Sequence, residues 1–217
     1  MAELEAVLFD FGHTLFYSPS AAAILVEKGA DPELAERAWQ EILEASASAA
    51  ELAKGRDLDP DRHREMWTAL FARTEVLVPG VAAELYERVM PPGGWTPYPD
   101  ALPVLQGLRA RDLRVGIISN ITADLQPVFR EHGLDRYVDA YTHSHQHRIE
   151  KPDPRLFLEA CRAIGSRPSA TLMVGDSPVA DGGAARAGLP VLILPQSRDG
   201  EPRGLELVLK IVGPGLD

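Results

Sequence analysis

The chain has 217 residues, 45% of them hydrophobic and 25% charged, which is typical of a folded globular protein. Its formal net charge is −10, so neither nucleic acid nor an anionic membrane surface is expected as a partner. The N-terminal residues lack a signal-peptide pattern, no apolar run has the length of a membrane span, and one cysteine, Cys161, excludes an internal disulfide. We therefore expect a cytoplasmic protein, and the sequence gives no indication of its oligomeric state.

The first predicted element is a strand over residues 5–10, where an apolar run leads directly into Asp10. Residues 20–92 show only helical periodicity, and "DPEL" places Asp31 at a helix N-cap with Pro32 at the first helical position. The Pro- and Gly-rich stretch 90–99 predicts a hinge or linker. Residues 17–95 are therefore expected to form a small helical domain inserted after the first strand.

After this hinge, strands and helices alternate. Strands are predicted over 114–119 and 171–176, within 136–144, and in "PVLILP". One helix is predicted around Ala101, Leu105 and Leu108, and two more in "DLQPVFREHG", with Pro127 in its first turn, and in "VADGGAARAG". A fourth helix is predicted before Gly165, because five apolar residues share one of its faces: Leu156, Phe157, Ala160, Cys161 and Ile164. The alternation predicts an α/β fold, with a Rossmann-like parallel sheet formed by residues 1–16 and 96–217 and covered by helices on both faces.

Polar residues follow three of the predicted strands at their carboxyl ends. They are Asp10, Ser119 with Asn120, and Asp176. In open parallel sheets, ligands bind beyond these ends. The sequence therefore predicts a functional site at this edge of the sheet.

Four segments carry a family resemblance, namely "LFDFGHTL", "GIISN", "EKPDPRLF" and "MVGDSPVADGGAARAG". In order and spacing they resemble the four motifs of the haloacid dehalogenase superfamily, whose members are mostly magnesium-dependent phosphohydrolases. The resemblance extends over the whole chain, because the helical insert falls where one large subclass carries a helical cap. It implies a HAD-like core with a cap over residues 17–95, and a hydrolase that acts on a small phosphorylated substrate.

The chemistry of these residues agrees with that resemblance. An aspartate at a strand end can attack a phosphoryl group and form an aspartyl-phosphate. The resemblance assigns this role to Asp10, and it makes Lys151 and the hydroxyl of Ser119 catalytic groups that contact the phosphoryl oxygens. The backbone amide of Asn120 completes the implied substrate-binding set.

A divalent cation is also implied, because the carboxylate of Asp10 repels a dianionic substrate. Magnesium prefers oxygen ligands. The resemblance places it on Asp10, the backbone carbonyl of Gly12 and Asp176, with Asp181 as a further ligand or as an anchor for the others. Each residue taken alone also fits a turn, a helix cap or a solvated loop, and the combination favours the site.

The first motif departs from the phosphatase pattern D-x-D-G-T, because it reads Asp10, Phe11, Gly12, His13, Thr14. In the phosphatases the second aspartate protonates the leaving alcohol and then activates water. Gly12 keeps the backbone carbonyl and lacks the acid, whose contribution is typically about 10²–10⁴-fold. Substrates whose leaving groups depart without protonation would be least affected. His13 is a candidate replacement acid, although packing in the turn is its simpler role.

Two alternatives stay open at this stage. A dehalogenase or a phosphonatase-type hydrolase would also lack the second aspartate. However, dehalogenases lack the acidic residue kept at Asp176, and the insert lysines Lys28 and Lys54 sit in no recognisable phosphonatase motif. A non-catalytic or regulatory protein on the same fold is the second alternative, and the retention of Asp10 with Lys151 opposes it.

The histidines form a separate pattern. In "HSHQH", His143, His145 and His147 alternate, and on a strand this spacing would direct three imidazoles to one face, where zinc or nickel could bind. The simpler interpretation is a polar loop leading to Lys151. His63 and His132 are expected to be exposed helix residues.

Overall fold

A central parallel sheet organises the structure, a computed structural model that describes residues 3–195 and 199–213. Its five strands lie in the order β5-β4-β1-β6-β7 and all pair in parallel. A second, antiparallel sheet consists of β2 and β3. The strands are β1 Ala6–Phe9, β2 Phe16–Tyr17, β3 Thr96–Pro97, β4 Arg114–Ser119, β5 Ala140–His143, β6 Thr171–Gly175 and β7 Val191–Ile193.

Helices cover both faces of the sheet, which confirms the predicted α/β, Rossmann-like core. Successive residues of β1 point to opposite sides: Val7 and Phe9 belong to one hydrophobic cluster, and Ala6 and Leu8 to the other. The helices are α1 Ala21–Glu27, α2 Pro32–Ser46, α3 Ala49–Leu52, α4 Pro60–Phe71, α5 Ala82–Val89, α6 Ala101–Arg109, α7 Gln126–Glu131, α8 Ser144–His147, α9 Pro154–Ala163 and α10 Glu206–Val212.

Helices α1 to α5 form a helical insert with a hydrophobic cluster of its own, which includes Trp39, Phe71 and Leu85. The short strands β2 and β3 pair at the two ends of this insert. Asp31 caps α2 by accepting hydrogen bonds from the amides of its first turn, as predicted. The proposed domain boundaries at residues 17 and 95 stay a prediction, and the outer limits of the core, 1 and 217, lie outside the described residues.

Several predicted elements differ from the structure in extent or type. The first strand covers Ala6–Phe9 only, and the predicted hinge contains β3. The segment Asp181–Ala187 is a 3₁₀-helix rather than an α-helix, because two consecutive glycines weaken α-helical propensity. Helix α10 was not predicted, since its apolar pattern is only two turns long.

Two expectations about histidines are wrong. His63 is buried rather than exposed, and its Nδ1 lies 2.8 Å from the hydroxyl of Tyr86; His132 is exposed as expected. The "HSHQH" segment is neither the polar loop of the simpler interpretation nor a continuous strand, because His143 ends β5 and the next four residues form α8. Within residues 3–195 and 199–213, these histidines form no group with metal-binding geometry. No helix in those residues has both the length and the apolar character to cross a membrane.

Candidate active site

Asp10 lies directly after β1, the central strand of the sheet. Its backbone N–H donates to the carbonyl of Val174 at 2.9 Å, which extends the ladder with β6 by one residue. The two strands that flank β1 end in Ser119 and in Gly175, which precedes Asp176. The strand order therefore brings the residues of three predicted motifs to one edge, as the sequence suggested.

Lys151 joins this edge from the loop between α8 and α9. Its buried ammonium donates to Oδ1 of Asp10 at 2.6 Å, to Oδ1 of Asp181 at 2.7 Å and to the carbonyl of Ile118 at 3.2 Å. Asn120 fixes the lysine backbone through two hydrogen bonds, accepting from the Lys151 N–H at 2.8 Å and donating to its carbonyl at 2.9 Å. All three donor positions of the ammonium are thus engaged.

Asp181 acts as an anchor within this cluster. Its second carboxylate oxygen accepts from the backbone N–H groups of Asp176 at 3.1 Å and Ser177 at 2.9 Å. The carboxylate approaches the end of β6 so closely that a Cβ on Gly175 would lie 2.1 Å from Oδ2. Only glycine fits there. Because both of its oxygens hold protein donors, Asp181 fits the role of an anchor better than that of a free metal ligand.

Burial and like charge dominate the electrostatics of the site. Burial, together with the carboxylates of Asp181 and Asp176, raises the pKa of Asp10 to about 7 against the opposing effect of Lys151. Burial and the Asp181 carboxylate also raise the pKa of Asp176 to about 6. Burial disfavours the Lys151 ammonium, but Asp10 and Asp181 hold its pKa above the ordinary range. The site stabilises positive charge.

The same residues have the donor set of a hard divalent cation. Oxygens of Asp10, Asp176 and Asp181 all lie within 4.8 Å of one another. Three carboxylates against the one ammonium of Lys151 leave a formal charge of −2 when all are ionised, which a divalent cation would neutralise. Asp10 and Asp176 are the residues best able to supply ligand oxygens, since Asp181 is held by protein donors.

The turn after Asp10 contains the residue that departs from the phosphatase pattern. A Cβ on Gly12 would lie 2.9 Å from the indole of Trp95. His13 adopts a positive φ of 55°, and its carbonyl accepts a hydrogen bond from Nε of Arg203 at 2.6 Å. Burial lowers the pKa of His13, so its imidazole is neutral at pH 7 and is poorly suited to replace the missing acid.

A cavity of about 750 Å³ opens onto Asp10, Lys151 and Asp176. The opposite wall comes from the helical insert, where buried Arg56 and Asp57 lie beside Trp67. Five further residues line the cavity, and no sequence pattern identified them as site residues: Arg56, Asp57, Trp67, Trp95 and Arg203. The one available signal was the presence of aromatic residues, Trp95 and Tyr98, within a Pro- and Gly-rich hinge.

Comparison with known proteins relates this chain to hydrolases. A family model described as haloacid dehalogenase-like hydrolase matches residues 4–188. Over 213 residues the chain is 27% identical to the glyceraldehyde 3-phosphate phosphatase of Methanopyrus kandleri, and the match covers 92% of this chain and 88% of that protein.

Solved structures of dehalogenases share the fold. One, described as a dehalogenase with an intermediate complex, is 26% identical with a TM-score of 0.71, over 95% of this chain and 91% of that one. The L-2-haloacid dehalogenase of Xanthobacter autotrophicus is 27% identical with a TM-score of 0.67, over 90% of this chain and 79% of that one. Similarity alone therefore leaves both phosphatase and dehalogenase chemistry to be weighed against the site.

Proposed function

We propose that this chain, which belongs to the haloacid dehalogenase-like hydrolases, is a phosphohydrolase that acts on a small phosphorylated substrate. The observation that carries the proposal is the acidic cluster of Asp10, Asp176 and Asp181 around the ammonium of Lys151. The relative named as a glyceraldehyde 3-phosphate phosphatase, which matches nearly the whole chain, supports the same reaction class. In this proposal the helical insert acts as a cap over the substrate.

Asp10 is the proposed nucleophile. Its Oδ2 has no hydrogen-bond donor among the described residues, while Oδ1 accepts from Lys151 at 2.6 Å. Attack of the carboxylate on phosphorus forms the P–O bond of an aspartyl-phosphate and breaks the bond to the leaving oxygen. Water then cleaves this mixed anhydride and releases phosphate. Lys151 and the hydroxyl of Ser119 stabilise the charge on the phosphoryl oxygens.

Magnesium is the proposed cofactor. Asp10, the Gly12 carbonyl and Asp176 would hold it, and Asp181 would orient Asp176 through the backbone hydrogen bond between them. When bound, the cation supplies charge neutralisation between the anionic substrate and the anionic nucleophile. A carboxylate pair near a dianion is unfavourable without it.

Gly12 makes the second half of this reaction slow. No carboxylate two residues after the nucleophile is available to activate water. Loss of one general base typically costs about 10²–10⁴-fold. We therefore expect the aspartyl-phosphate to hydrolyse slowly and to accumulate during turnover.

A dehalogenase is the second candidate, favoured by the structural neighbours named as such. The acidic residue Asp176 opposes it, since displacement of a halide by Asp10 needs no cation and gains nothing from a further carboxylate. Chloride release from 2-chloropropionate in the presence of EDTA would reverse this ranking.

The test of the proposal is phosphate release from a panel of phosphorylated compounds that includes para-nitrophenyl phosphate and glyceraldehyde 3-phosphate. Each is assayed with magnesium and with EDTA, and Asp10→Asn is the blank. We expect release that requires both magnesium and Asp10, with the variant reduced by about 10⁴-fold or more. Release that is unchanged in Asp10→Asn would contradict the assignment of the nucleophile.

A further inference from the structure

The indole of Trp95 fills the space beside Gly12. A Cβ built on this glycine would lie 2.9 Å and 3.1 Å from two carbons of the indole ring. Contacts at the lower distance do not occur between well-packed atoms, so even an alanine at this position would require Trp95 to move. The indole therefore occupies the space that a side chain at position 12 would take.

The indole is held in place by two further contacts. Its Nε1–H donates to the carbonyl of Val89 at 2.9 Å, and its ring stacks on Phe11 with 5.0 Å between centroids. Trp95 packs against the main hydrophobic cluster of the core. The hydrogen bond to Val89, the last residue of α5, couples the ring to the helical insert.

This arrangement changes the chemistry of the cavity near Asp10. Gly12 and Trp95 both line that cavity, and the wall there offers ring carbons where an acid would be needed to protonate a departing oxygen. The Lys151 ammonium is already engaged by Asp10 and Asp181. Without an acid at position 12, a departing oxygen would leave as an anion and take its proton from solvent.

We propose that Gly12 and Trp95 together restrict the site to phosphorylated substrates with a weakly basic leaving oxygen, such as acyl and aryl phosphates: Gly12 supplies no acid, and Trp95 is the specificity-determining residue that fills the space an acid there would need. The inference rests on the proposed phosphohydrolase function. In the step concerned, Asp10 forms a bond to phosphorus, the phosphorus–oxygen bond breaks, and its electron pair stays on the departing carboxylate or phenolate. An alkoxide is far too basic to leave in this way, so alkyl phosphates, glyceraldehyde 3-phosphate among them, are poor substrates.

The first test uses the wild-type protein alone. The value of kcat/KM, which reports the phosphorylation half-reaction, is measured for a series of substituted phenyl phosphates and for alkyl phosphates of similar size. We expect kcat/KM to fall steeply as the leaving group becomes more basic, by about 10²–10⁴-fold more than for an enzyme with a general acid. A shallow dependence, with alkyl and aryl phosphates hydrolysed alike, would overturn the inference.

The second test restores the acid in two steps. Gly12→Asp alone introduces a carboxylate that collides with Trp95, so we expect no gain on alkyl phosphates. Gly12→Asp combined with Trp95→Ala makes room for it, and we expect kcat/KM for alkyl phosphates to rise by about 10²-fold and the leaving-group dependence to flatten. The matched control is Gly12→Asn with Trp95→Ala, which has the same shape without an acid and should show neither effect.

The outcomes separate this inference from the function on which it rests. If aryl phosphates are hydrolysed only when Asp10 is present, and kcat/KM falls steeply with the basicity of the leaving group, then the proposed function and the inference about Trp95 both hold. If hydrolysis requires Asp10 but Gly12→Asp alone equals the double variant, Trp95 does not block the acid and the inference fails. If no phosphorylated compound is hydrolysed in an Asp10-dependent manner, the proposed function fails, and the role of Trp95 fails with it.

Discussion

The carboxyl edge of the sheet and the inner wall of the helical insert line the same cavity, but they satisfy their polar groups very differently. At the edge, the ammonium of Lys151 makes hydrogen bonds of 2.6 Å and 2.7 Å to Asp10 and Asp181. On the insert wall, the Arg56 guanidinium makes only long contacts of 3.3 Å, 3.4 Å and 3.5 Å. Nε1 of buried Trp67 has no partner among the described residues.

This difference follows from how the two walls are built. Parallel strands fix the edge, because adjacent backbones share hydrogen bonds over their whole length and end side by side. The insert wall is assembled from helices and a 3₁₀-turn whose relative positions depend on side-chain packing. The edge is therefore preorganised for chemistry, and the insert wall keeps hydrogen-bonding capacity unused. Four predictions test this contrast, from the largest expected effect to the smallest.

Replacing Asp181, the anchor at the carboxyl edge of the sheet, should have the largest effect on the free energy of unfolding. Asp181→Asn places an amide NH₂ against either the Lys151 ammonium or two backbone N–H groups, so a donor faces a donor in a buried site. We expect the free energy of unfolding to fall by about 3–5 kcal/mol in urea titration. The control is Asp61→Asn on the exposed face of α4, which should stay within about 0.5 kcal/mol of wild type. Equal values for the two variants would show that Asp181 is not an anchor.

Magnesium should stabilise the folded protein, since the edge concentrates negative charge. At a concentration of about one hundred times the dissociation constant, a ligand of the folded state adds about 2.7 kcal/mol. We expect the midpoint of thermal unfolding to rise with magnesium in wild type and in Asp61→Asn. The rise should be lost in Asp176→Asn, which lacks one of the proposed ligands. A rise that persists in Asp176→Asn would place the cation elsewhere.

On the insert wall, removing the Nε1–H donor of Trp67 should change the free energy of unfolding only slightly. Trp67→Phe deletes the unpartnered Nε1–H and keeps a ring against Arg56 and Phe71. We expect the free energy of unfolding to change by less than about 1 kcal/mol, because no hydrogen bond is lost. Trp67→Ala, the comparison variant, removes the packing as well and should cost about 3–5 kcal/mol. If both substitutions destabilise alike, Nε1 has a partner and the contrast between the walls is smaller.

The smallest predicted effect lies where the two walls meet. Glu150 of the core accepts a hydrogen bond from the backbone N–H of Asp57 in the insert, and partial burial raises its pKa to about 7. Because the folded state holds this proton more tightly, stability falls as the pH rises from about 4.5 through 7. Glu150 is only partly buried, so after allowance for solvent screening the change is about 1 kcal/mol or less.

The variant Glu150→Gln keeps the acceptor and cannot ionise. We expect its unfolding free energy to depend less on pH between 5 and 8 than that of wild type, as measured by urea titration at each pH. Glu41→Gln, on an exposed face of α2, is the matched control and should follow wild type. Parallel curves for all three proteins would show that Glu150 titrates normally.

The sequence predicted the edge of the sheet much better than the cavity above it. Asp10, Ser119 and Asp176 follow apolar strands, and the parallel order of those strands suffices to bring them together. For Asp181 the sequence allowed two roles, a metal ligand or an anchor. Only the structure shows which donors its two carboxylate oxygens accept from. These predictions depend on local patterns and on one topological rule.

The insert side could not be predicted in the same way. The contact of Trp95 with Gly12 joins residues that are distant in sequence and depends on how the hinge packs. His63 was expected on the surface, but Tyr86 and Asp57 surround it on the inner side of the insert. The hydrophobic periodicity of a sequence does not predict such tertiary contacts, because they depend on how whole helices pack against one another.

The most direct test of the central claim is the mass of the protein during turnover. Wild-type protein is mixed with para-nitrophenyl phosphate and magnesium, quenched in acid within one turnover, and examined by intact mass and by peptide mapping. We expect one added phosphoryl group, located on the peptide that contains Asp10 and absent from Asp10→Asn, because slow hydrolysis without an acid at Gly12 lets the intermediate accumulate. Rapid phosphate release with no phosphoryl group on the chain, or with the group on another residue, would contradict it.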